Sequence, residues 1–196
     1  RKGQRELAVS VYRTILRQKK LFIQAPTGVG KTISTVFPAV KAVGEELGEK
    51  IFYLTAKTIT RTVAEDTIKL LKKQGLSVSA VTITAKEKIC IQKEVQCNPE
   101  SCERAKGHFD RINEALYALL DSACDISREN LLLYAERYNV CPYELSFEAA
   151  VWSDCIICDY NYVFDPHVNR KSLIEGSLRQ NIYLIDEAHN CLLYTS

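Results

Sequence analysis

A segment near the start of the chain has the residue types and the spacing of a phosphate-binding loop. Ala25-Pro-Thr-Gly-Val-Gly-Lys31-Thr32 follows a short apolar stretch and precedes residues with helical periodicity. The glycines let backbone N–H groups turn towards phosphate oxygens, the lysine can reach the β- and γ-phosphates, and the threonine hydroxyl can bind Mg²⁺. The strict motif begins with glycine, whereas this chain has alanine at position 25. An ordinary glycine turn before a helix is therefore the alternative. We predict that ATP is bound by Thr27, Gly28, Val29, Gly30, Lys31 and Thr32.

A second motif with reactive side chains lies near the end of the chain. Asp186-Glu187-Ala188-His189 follows an apolar, strand-like run. Asp186 is suited to hold Mg²⁺, and Glu187 is suited to orient and deprotonate an attacking water. A polar strand end would look the same in isolation, but a phosphate loop upstream makes this motif typical of ATP hydrolysis. The sequence therefore predicts Lys31, Asp186 and Glu187 as catalytic residues, with Mg²⁺ held by Thr32 and Asp186.

Four of the seven cysteines between the two motifs form one candidate set, with six, four and 38 residues between successive members: Cys90, Cys97, Cys102 and Cys141. Four thiolates can hold a 4Fe-4S cluster or a zinc ion, and unmodified thiols are the third possibility. Structural zinc usually has two closely spaced cysteine pairs, whereas this set has only one comparable pair, which favours the cluster. Cys155 and Cys158 lie in an apolar strand-like run, and we predict that they are buried core residues.

The elements that must position these residues alternate between strands and helices. Apolar or β-branched runs predict strands at residues 21–25, 51–55, 78–84, 155–159 and 182–186. Helical periodicity predicts helices at residues 5–17, 32–43 and 58–73. Such alternation is typical of a parallel sheet covered by helices. Residues 89–146 interrupt the pattern, with helical segments near 112–120 and 128–138, so we interpret them as a small inserted module.

The composition favours one globular domain with an insertion. The chain has 196 residues, and its net charge of +2 gives no bulk signal for nucleic acid. No apolar run is long enough for a membrane span, so we expect a cytoplasmic protein without a membrane partner. In that setting eight cysteines favour metal, a cluster or buried thiols over disulfides. Because the sequence has no methionine, even at position 1, we expect a fragment of a longer polypeptide.

The two nucleotide motifs resemble those of superfamily 2 helicases, and the cysteine insert narrows the resemblance to the XPD/DinG iron–sulfur family, in a bacterial branch. The resemblance extends from Gln4 to about Asn190. It implies that Gln4 reads the adenine of ATP and that His189 couples ATP to a second motor domain. Cys141-Pro142-Tyr143 closely resembles the element that carries the fourth cluster ligand.

Two further segments resemble family motifs. Tyr53-Leu-Thr-Ala-Lys57-Thr58-Ile-Thr-Arg61 is similar to motif Ia, which grips the DNA backbone, although a solvated loop is the alternative. The resemblance implies DNA contacts by Thr55, Lys57, Thr58 and Arg61. Asp159-Tyr160-Asn161-Tyr162 resembles another family segment, whose tyrosines could stack on bases or fill the core. We assign it no chemical role from sequence.

For the fold, the resemblance implies an α/β protein with a RecA-like P-loop sheet flanked by helices and an inserted, mostly helical iron–sulfur module. The first motor domain would comprise residues 1–85 and 147–196, and the insert residues 86–146. For function, it implies a DNA helicase that uses ATP and Mg²⁺ and moves 5′ to 3′ on single-stranded and fork DNA, in repair or replication.

The second RecA-like domain of the same polypeptide would be missing, so this half would be inactive alone. One alternative is a non-helicase P-loop ATPase with a zinc-bound interaction module, and another is a binding module only. The sequence does not distinguish DNA from RNA.

Overall fold

A computed structural model of the chain describes residues 3–26, 28–122, 125–165 and 181–189. The chain divides into two compact units, one formed by Arg1–Val78 with Asp154–Ser196 and the other by Ser79–Ser153. Its helices and strands are, in chain order, α1 Gln4–Leu16, α2 Lys31–Gly44, β1 Ile51–Leu54, α3 Thr58–Lys73, β2 Ala80–Thr82, α4 Lys86–Ile89, α5 His108–Asp121, α6 Arg128–Arg137, α7 Pro142–Val151, β3 Cys155–Cys158, α8 Asn161–Phe164 and β4 Ile182–Ile185. The strands form a parallel sheet with the order β2-β3-β1-β4.

The centre of the first unit is β1, which pairs in parallel with β3 on one side and with β4 on the other. Ile51 is opposite both Cys155 and Ile182, and the register continues without a bulge to Leu54. All four β1 residues are buried, as expected for a parallel strand with both faces covered. Phe52 stacks on Tyr183 of β4 with ring centroids 5.3 Å apart. These contacts explain why an apolar run without polar alternation forms a strand here.

The parallel pairing brings the carboxyl ends of three strands to one edge of the sheet. Thr55 follows β1, Asp159 follows β3 and Asp186 follows β4. Backbone hydrogen bonds extend past the strands at this edge, from the Thr55 N–H to the Cys158 carbonyl at 3.0 Å and from the Asp186 N–H to the Leu54 carbonyl at 3.0 Å. Residues far apart in the sequence are thus positioned side by side at the edge where open α/β sheets bind ligands.

The second unit has a helical core of its own. α5, α6 and α7 pack on one another, and their buried side chains include Leu119, Leu131 and Leu145. Arg104 donates to the carbonyls of Ala135 and Val140 at 2.7 and 3.1 Å, so its guanidinium ties the segment before α5 to the last turn of α6 and to the loop after it. The predicted insert, residues 86–146, falls within this unit, and its boundaries remain a prediction. α7 was not among the predicted helices.

The strand predicted at residues 21–25 is wrong. Residues 19–26 have no regular secondary structure, and Phe22 is 90% exposed. An apolar run becomes a strand only where neighbouring backbone hydrogen-bonds to it, and residues 21–25 are not part of the sheet. The strand predicted at residues 78–84 is present but shorter, at Ala80–Thr82. The other predicted strands and helices are confirmed to within a few residues at each end.

Helix length also bears on membrane association. Among the described residues, none of the helices combines the length and the apolar character that a membrane span requires.

Two phenylalanines provide a test of this fold. Phe52→Ala should lower the free energy of unfolding by about 3–5 kcal/mol, because it removes a fully buried ring from the middle of the sheet. Phe22→Ala should change it by less than about 0.5 kcal/mol, because that ring is in solvent. Urea denaturation followed by circular dichroism measures both. A large loss with Phe22→Ala would mean that residues 21–25 form a buried strand after all.

Candidate active site

The phosphate loop is shaped by two glycines in left-handed backbone conformations. Gly28 has φ 80° and Gly30 has φ 81°, values that other residues adopt only with strain. A Cβ at Gly30 would lie 2.0 Å from the side-chain amide nitrogen of Gln4, so the Gln4 side chain would have to move to admit one. The loop ends at Lys31, where α2 begins, and the Lys31 ammonium donates to the Ala25 carbonyl at 3.1 Å. Gln4, the predicted adenine reader, therefore lies directly against the loop.

Tyr53 connects the phosphate loop to the second nucleotide motif. It is the third residue of β1 and is buried, and its hydroxyl hydrogen-bonds to the side chains of both Thr32 and Asp186. Burial and the neighbouring Asp186 carboxylate raise the pKa of Tyr53, so the hydroxyl stays protonated. The two residues predicted to hold Mg²⁺ thus lie within reach of one phenol oxygen, which places the two motifs in a single site.

The charge balance at Asp186 disfavours its ionised form. Burial raises the pKa of Asp186, and the Glu187 carboxylate raises it further. The Lys31 ammonium and the Tyr53 hydroxyl act in the opposite direction without cancelling the increase. A carboxylate with insufficient positive charge around it is what a cation site requires, because a bound divalent ion would supply the missing charge.

The turn after β4 carries the second carboxylate, that of Glu187. Glu187 has φ 50°, in the left-handed region, and its backbone is held by the Tyr160 hydroxyl. That hydroxyl donates to the Asp186 carbonyl and lies 3.4 Å from the Glu187 carbonyl. His189 is exposed, and its Nδ1 lies 3.6 Å from a carboxylate oxygen of Glu187. The predicted catalytic residues Lys31, Asp186 and Glu187 are therefore close together at one edge of the sheet.

The predicted DNA-contact residues differ in accessibility. Thr55 is buried, and its hydroxyl is hydrogen-bonded to that of Thr60. Lys57 and Thr58 are exposed, at the point where α3 begins. Arg61 is largely buried, with a guanidinium nitrogen 3.3 Å from a carboxylate oxygen of Asp159. Only Lys57 and Thr58 present their side chains to solvent, next to the open backbone N–H groups of a helix N-terminus.

The cysteines separate into two environments. Cys155 and Cys158 are buried in β3, which confirms them as core residues, and burial raises the pKa of Cys155 to about 12. Cys141 precedes α7, and burial raises its pKa although the backbone N–H groups of Glu144 and Tyr143 donate to its sulfur. Cys97 is close enough to raise it further. Cys90 ends α4, a helix that contacts α7 within the second unit.

The fit of these thiols to a metal group is partial. Four cysteines in one unit, one of them with N–H donors on its sulfur, have the chemistry of cluster ligands. In the part of the chain that the structure describes, however, no three His, Cys, Asp or Glu side chains converge on one point as a metal site would require. The 4Fe-4S assignment therefore stays a prediction. The predicted ATP ligand Thr27 lies outside the described residues.

Sequence reasoning missed two residues that organise the active site and one residue of the cysteine module. Tyr53 and Tyr160 both lie in motifs noted from sequence, yet neither was given a role, because their hydroxyl partners come from distant segments. A tyrosine near the end of a predicted parallel strand was the available signal, since its hydroxyl can reach the edge where ligands bind. His108 is buried, and its Nδ1 accepts the backbone N–H of Cys141 at 3.4 Å. No sequence pattern indicated that contact.

Comparison with known proteins decides the family. The DEAD_2 family model matches residues 54–193, which run from the last residue of β1 through the cysteine segment to the Asp186 motif. The chain belongs to the DEAD_2 family. This confirms the resemblance to XPD/DinG-type superfamily 2 helicases, while the bacterial branch stays a prediction.

Curated relatives carry helicase names. The regulator of telomere elongation helicase 1 homolog of Caenorhabditis elegans is 22% identical over 95% of this chain and 23% of its own length. The rice protein of the same name is 29% identical over 67% of this chain and 14% of its own length. The Fanconi anemia group J protein homolog of Gallus gallus is 37% identical over 32% of the chain and 5% of its own length. The chain thus spans less than a quarter of the length of these relatives.

Solved structures agree on the fold. An XPD helicase structure superposes with a TM-score of 0.67 at 19% identity, covering 97% of this chain and 33% of that one. A truncated XPD gives a TM-score of 0.61 at 20% identity, covering 94% of this chain and 52% of that one. The predicted α/β fold, with a parallel sheet flanked by helices, is confirmed.

The environment of Asp186 leads to a stability test. Because its pKa is raised in the folded chain, the folded state holds the proton more tightly than the unfolded state does, and stability falls as pH rises through that window. At pH 7 without Mg²⁺ or nucleotide, Asp186→Asn should therefore raise Tm, by no more than about 1–2 °C, because water screens a carboxylate that is half exposed. The gain should shrink at acidic pH, where the wild-type carboxyl is protonated.

The matched control is Asp66→Asn, at an exposed position of α3, which should leave Tm nearly unchanged. Differential scanning calorimetry at several pH values measures both variants. A lower Tm for Asp186→Asn at neutral pH would contradict the charge balance described above.

Proposed function

We propose that this chain is the ATP-binding half of an ATP-dependent DNA helicase of the XPD/DinG type. The observation that best supports the proposal is the contact of one Tyr53 hydroxyl with both Thr32 and Asp186, because it joins the phosphate loop to the acidic motif. The other support is membership of the DEAD_2 family, whose named relatives above are helicases. The second RecA-like domain would come from the same polypeptide, and this half alone would not unwind DNA.

The predicted site residues have different roles in ATP hydrolysis. The backbone N–H groups of the loop and the Lys31 ammonium bind the triphosphate, and Gln4, beside the loop, recognises the adenine. Thr32 and Asp186 hold Mg²⁺, which when bound neutralises charge on the β- and γ-phosphates. Glu187 accepts a proton from the water that attacks the γ-phosphate, giving ADP and phosphate. His189, exposed next to Glu187, is placed to relay nucleotide state to the second motor domain.

Single-stranded or fork DNA binds at the start of α3 in this proposal. Lys57 and Thr58 are exposed there, and a positive side chain, a hydroxyl and open helix N–H groups suit phosphate contacts that do not read bases. Thr55 and Arg61 fix the start of α3, because the Thr55 hydroxyl hydrogen-bonds to Thr60 and the Arg61 guanidinium pairs with Asp159. We take movement 5′ to 3′ and a role in repair or replication from the family resemblance alone. The cytoplasmic location is carried over from the sequence prediction.

The cysteine module holds a 4Fe-4S cluster through Cys90, Cys97, Cys102 and Cys141 in this proposal. The N–H groups directed at the Cys141 sulfur and the proximity of Cys97 support it. A cluster joins segments of a small helical unit and so would stabilise it.

ATPase activity tests the motor assignment. The full-length polypeptide that contains this chain should hydrolyse ATP, and an unstructured oligo-dT strand should increase its kcat at least about tenfold. Lys31→Ala should abolish hydrolysis and nucleotide binding, because it removes the ammonium at the phosphate loop. Lys41→Ala, at an exposed position of the same helix, is the matched control and should leave both intact. Turnover that ignores oligo-dT would overturn the helicase proposal.

Metal content tests the cysteine module. Protein purified without oxygen should contain about four irons and four labile sulfides per chain. Cys141→Ser should lose most of the iron, whereas Cys155→Ala, which alters a buried thiol of β3, should retain it. Iron, sulfide and zinc assays on the same samples give the answer. One zinc per chain with no iron would instead support a zinc-bound interaction module.

A further inference from the structure

Two adjacent residues at the end of β3 contact different parts of the first unit. Asp159 pairs with Arg61, one turn into α3, at 3.3 Å. Tyr160 donates from its hydroxyl to the Asp186 carbonyl and lies 3.4 Å from the Glu187 carbonyl. One peptide unit therefore separates a contact with α3 from a contact with the turn that carries the catalytic carboxylates. We refer to Asp159 and Tyr160 as the β3-end pair.

The contact between Asp159 and Arg61 is incomplete. The Arg61 side chain is only 14% exposed, yet a single guanidinium nitrogen reaches the carboxylate. Its Nε is buried and makes no hydrogen bond within the described residues. Arginine and carboxylate bind most strongly through two parallel hydrogen bonds, so this one-bond arrangement leaves binding capacity unused. The other oxygen of Asp159 accepts the Asn161 N–H at 3.1 Å, which fixes the carboxylate to the start of α8. A small shift of α3 would change the contact, because a buried guanidinium gains from a second bond.

The contact of Tyr160 is tightly constrained. Its ring is 2% exposed, and its hydroxyl binds carbonyls on both residues of the turn. Glu187 occupies a left-handed backbone conformation that a residue with a side chain keeps only when its surroundings enforce it. The Tyr160 hydroxyl supplies part of that enforcement. Tyr160 thus holds the backbone of the turn that carries the Glu187 side chain.

We infer that the β3-end pair is a positioning link through which a DNA phosphate bound at the start of α3 adjusts the Glu187 turn and so accelerates ATP hydrolysis. The inference rests on the proposed function, and it gives a physical role to the Asp159-Tyr160-Asn161-Tyr162 segment. A DNA phosphate at Lys57 and Thr58 would shift the first turns of α3, Arg61 would carry the shift to Asp159, and Tyr160 would carry it to the turn. Coupling of this kind requires a continuous set of contacts, and each member is present here.

The test is DNA-stimulated ATP hydrolysis by the full-length polypeptide, with oligo-dT as the probe. Tyr160→Phe removes only the hydroxyl, and it should lower the DNA-stimulated kcat about tenfold with the KM for ATP changed by less than about twofold. Asp159→Asn should lower the ratio of stimulated to unstimulated kcat about fivefold. Tyr183→Phe is the matched control, because Tyr183 lies on β4 and stacks on Phe52 without contacting the turn; its stimulation should match the wild type. Circular dichroism at the assay temperature checks that each variant is folded.

The double variant distinguishes one route from two. If both residues act on the same turn, Asp159→Asn combined with Tyr160→Phe should lose little more stimulation than Tyr160→Phe alone. Independent, multiplying losses would overturn the link. So would wild-type stimulation ratios in both single variants, although the helicase proposal would then survive. A wild-type protein that does not respond to oligo-dT would overturn the helicase proposal and the link with it.

Discussion

The structure of the site depends on the parallel register of three short strands. Because β1 lies between β3 and β4 with no offset, the residues that follow each strand arrive at the same edge. The phosphate loop lies immediately before α2, whose second residue is Thr32. Tyr53, still within β1, hydrogen-bonds to both Thr32 and Asp186. A slip of one residue between β1 and β4 would turn the Tyr53 hydroxyl to the opposite face and separate the two motifs. The relative positions of the catalytic residues therefore depend first on how the backbones of these three strands pair.

Polar groups at this edge are held in arrangements that stability alone would not favour. Asp186 is half-buried, and this burial together with the neighbouring Glu187 carboxylate raises its pKa, while Glu187 has a left-handed backbone conformation. Two tyrosines support these features, one through the side chain of Asp186 and the other through the carbonyls of the turn. Local strain and unfavourable charge are common where a protein binds a cation or performs chemistry, because the ligand restores the balance.

Local patterns in the sequence were sufficient for most elements and for the motifs. α3 was predicted with its observed bounds, and the apolar runs that became β1, β3 and β4 were correctly located, because period and composition are local properties. The strand prediction for residues 21–25 failed for a non-local reason, since an apolar run needs a hydrogen-bonding neighbour to become a strand. The roles of Tyr53 and Tyr160 could not be predicted, because they arise from partners brought close only by the sheet. The burial of Arg61 against Asp159 was hidden in the same way.

The cysteines of the two units differ in how accessible they are to chemical reagents. Cys155 and Cys158 are enclosed in β3 and stay protonated, whereas Cys97 is exposed in the second unit. Alkylating reagents react with accessible thiolates, so a maleimide dye added to cluster-free protein would attach to the helical module and spare the sheet. Among the six cysteines that the structure describes, such a dye would mark the cysteine module without any need to remove Cys155 or Cys158 from β3.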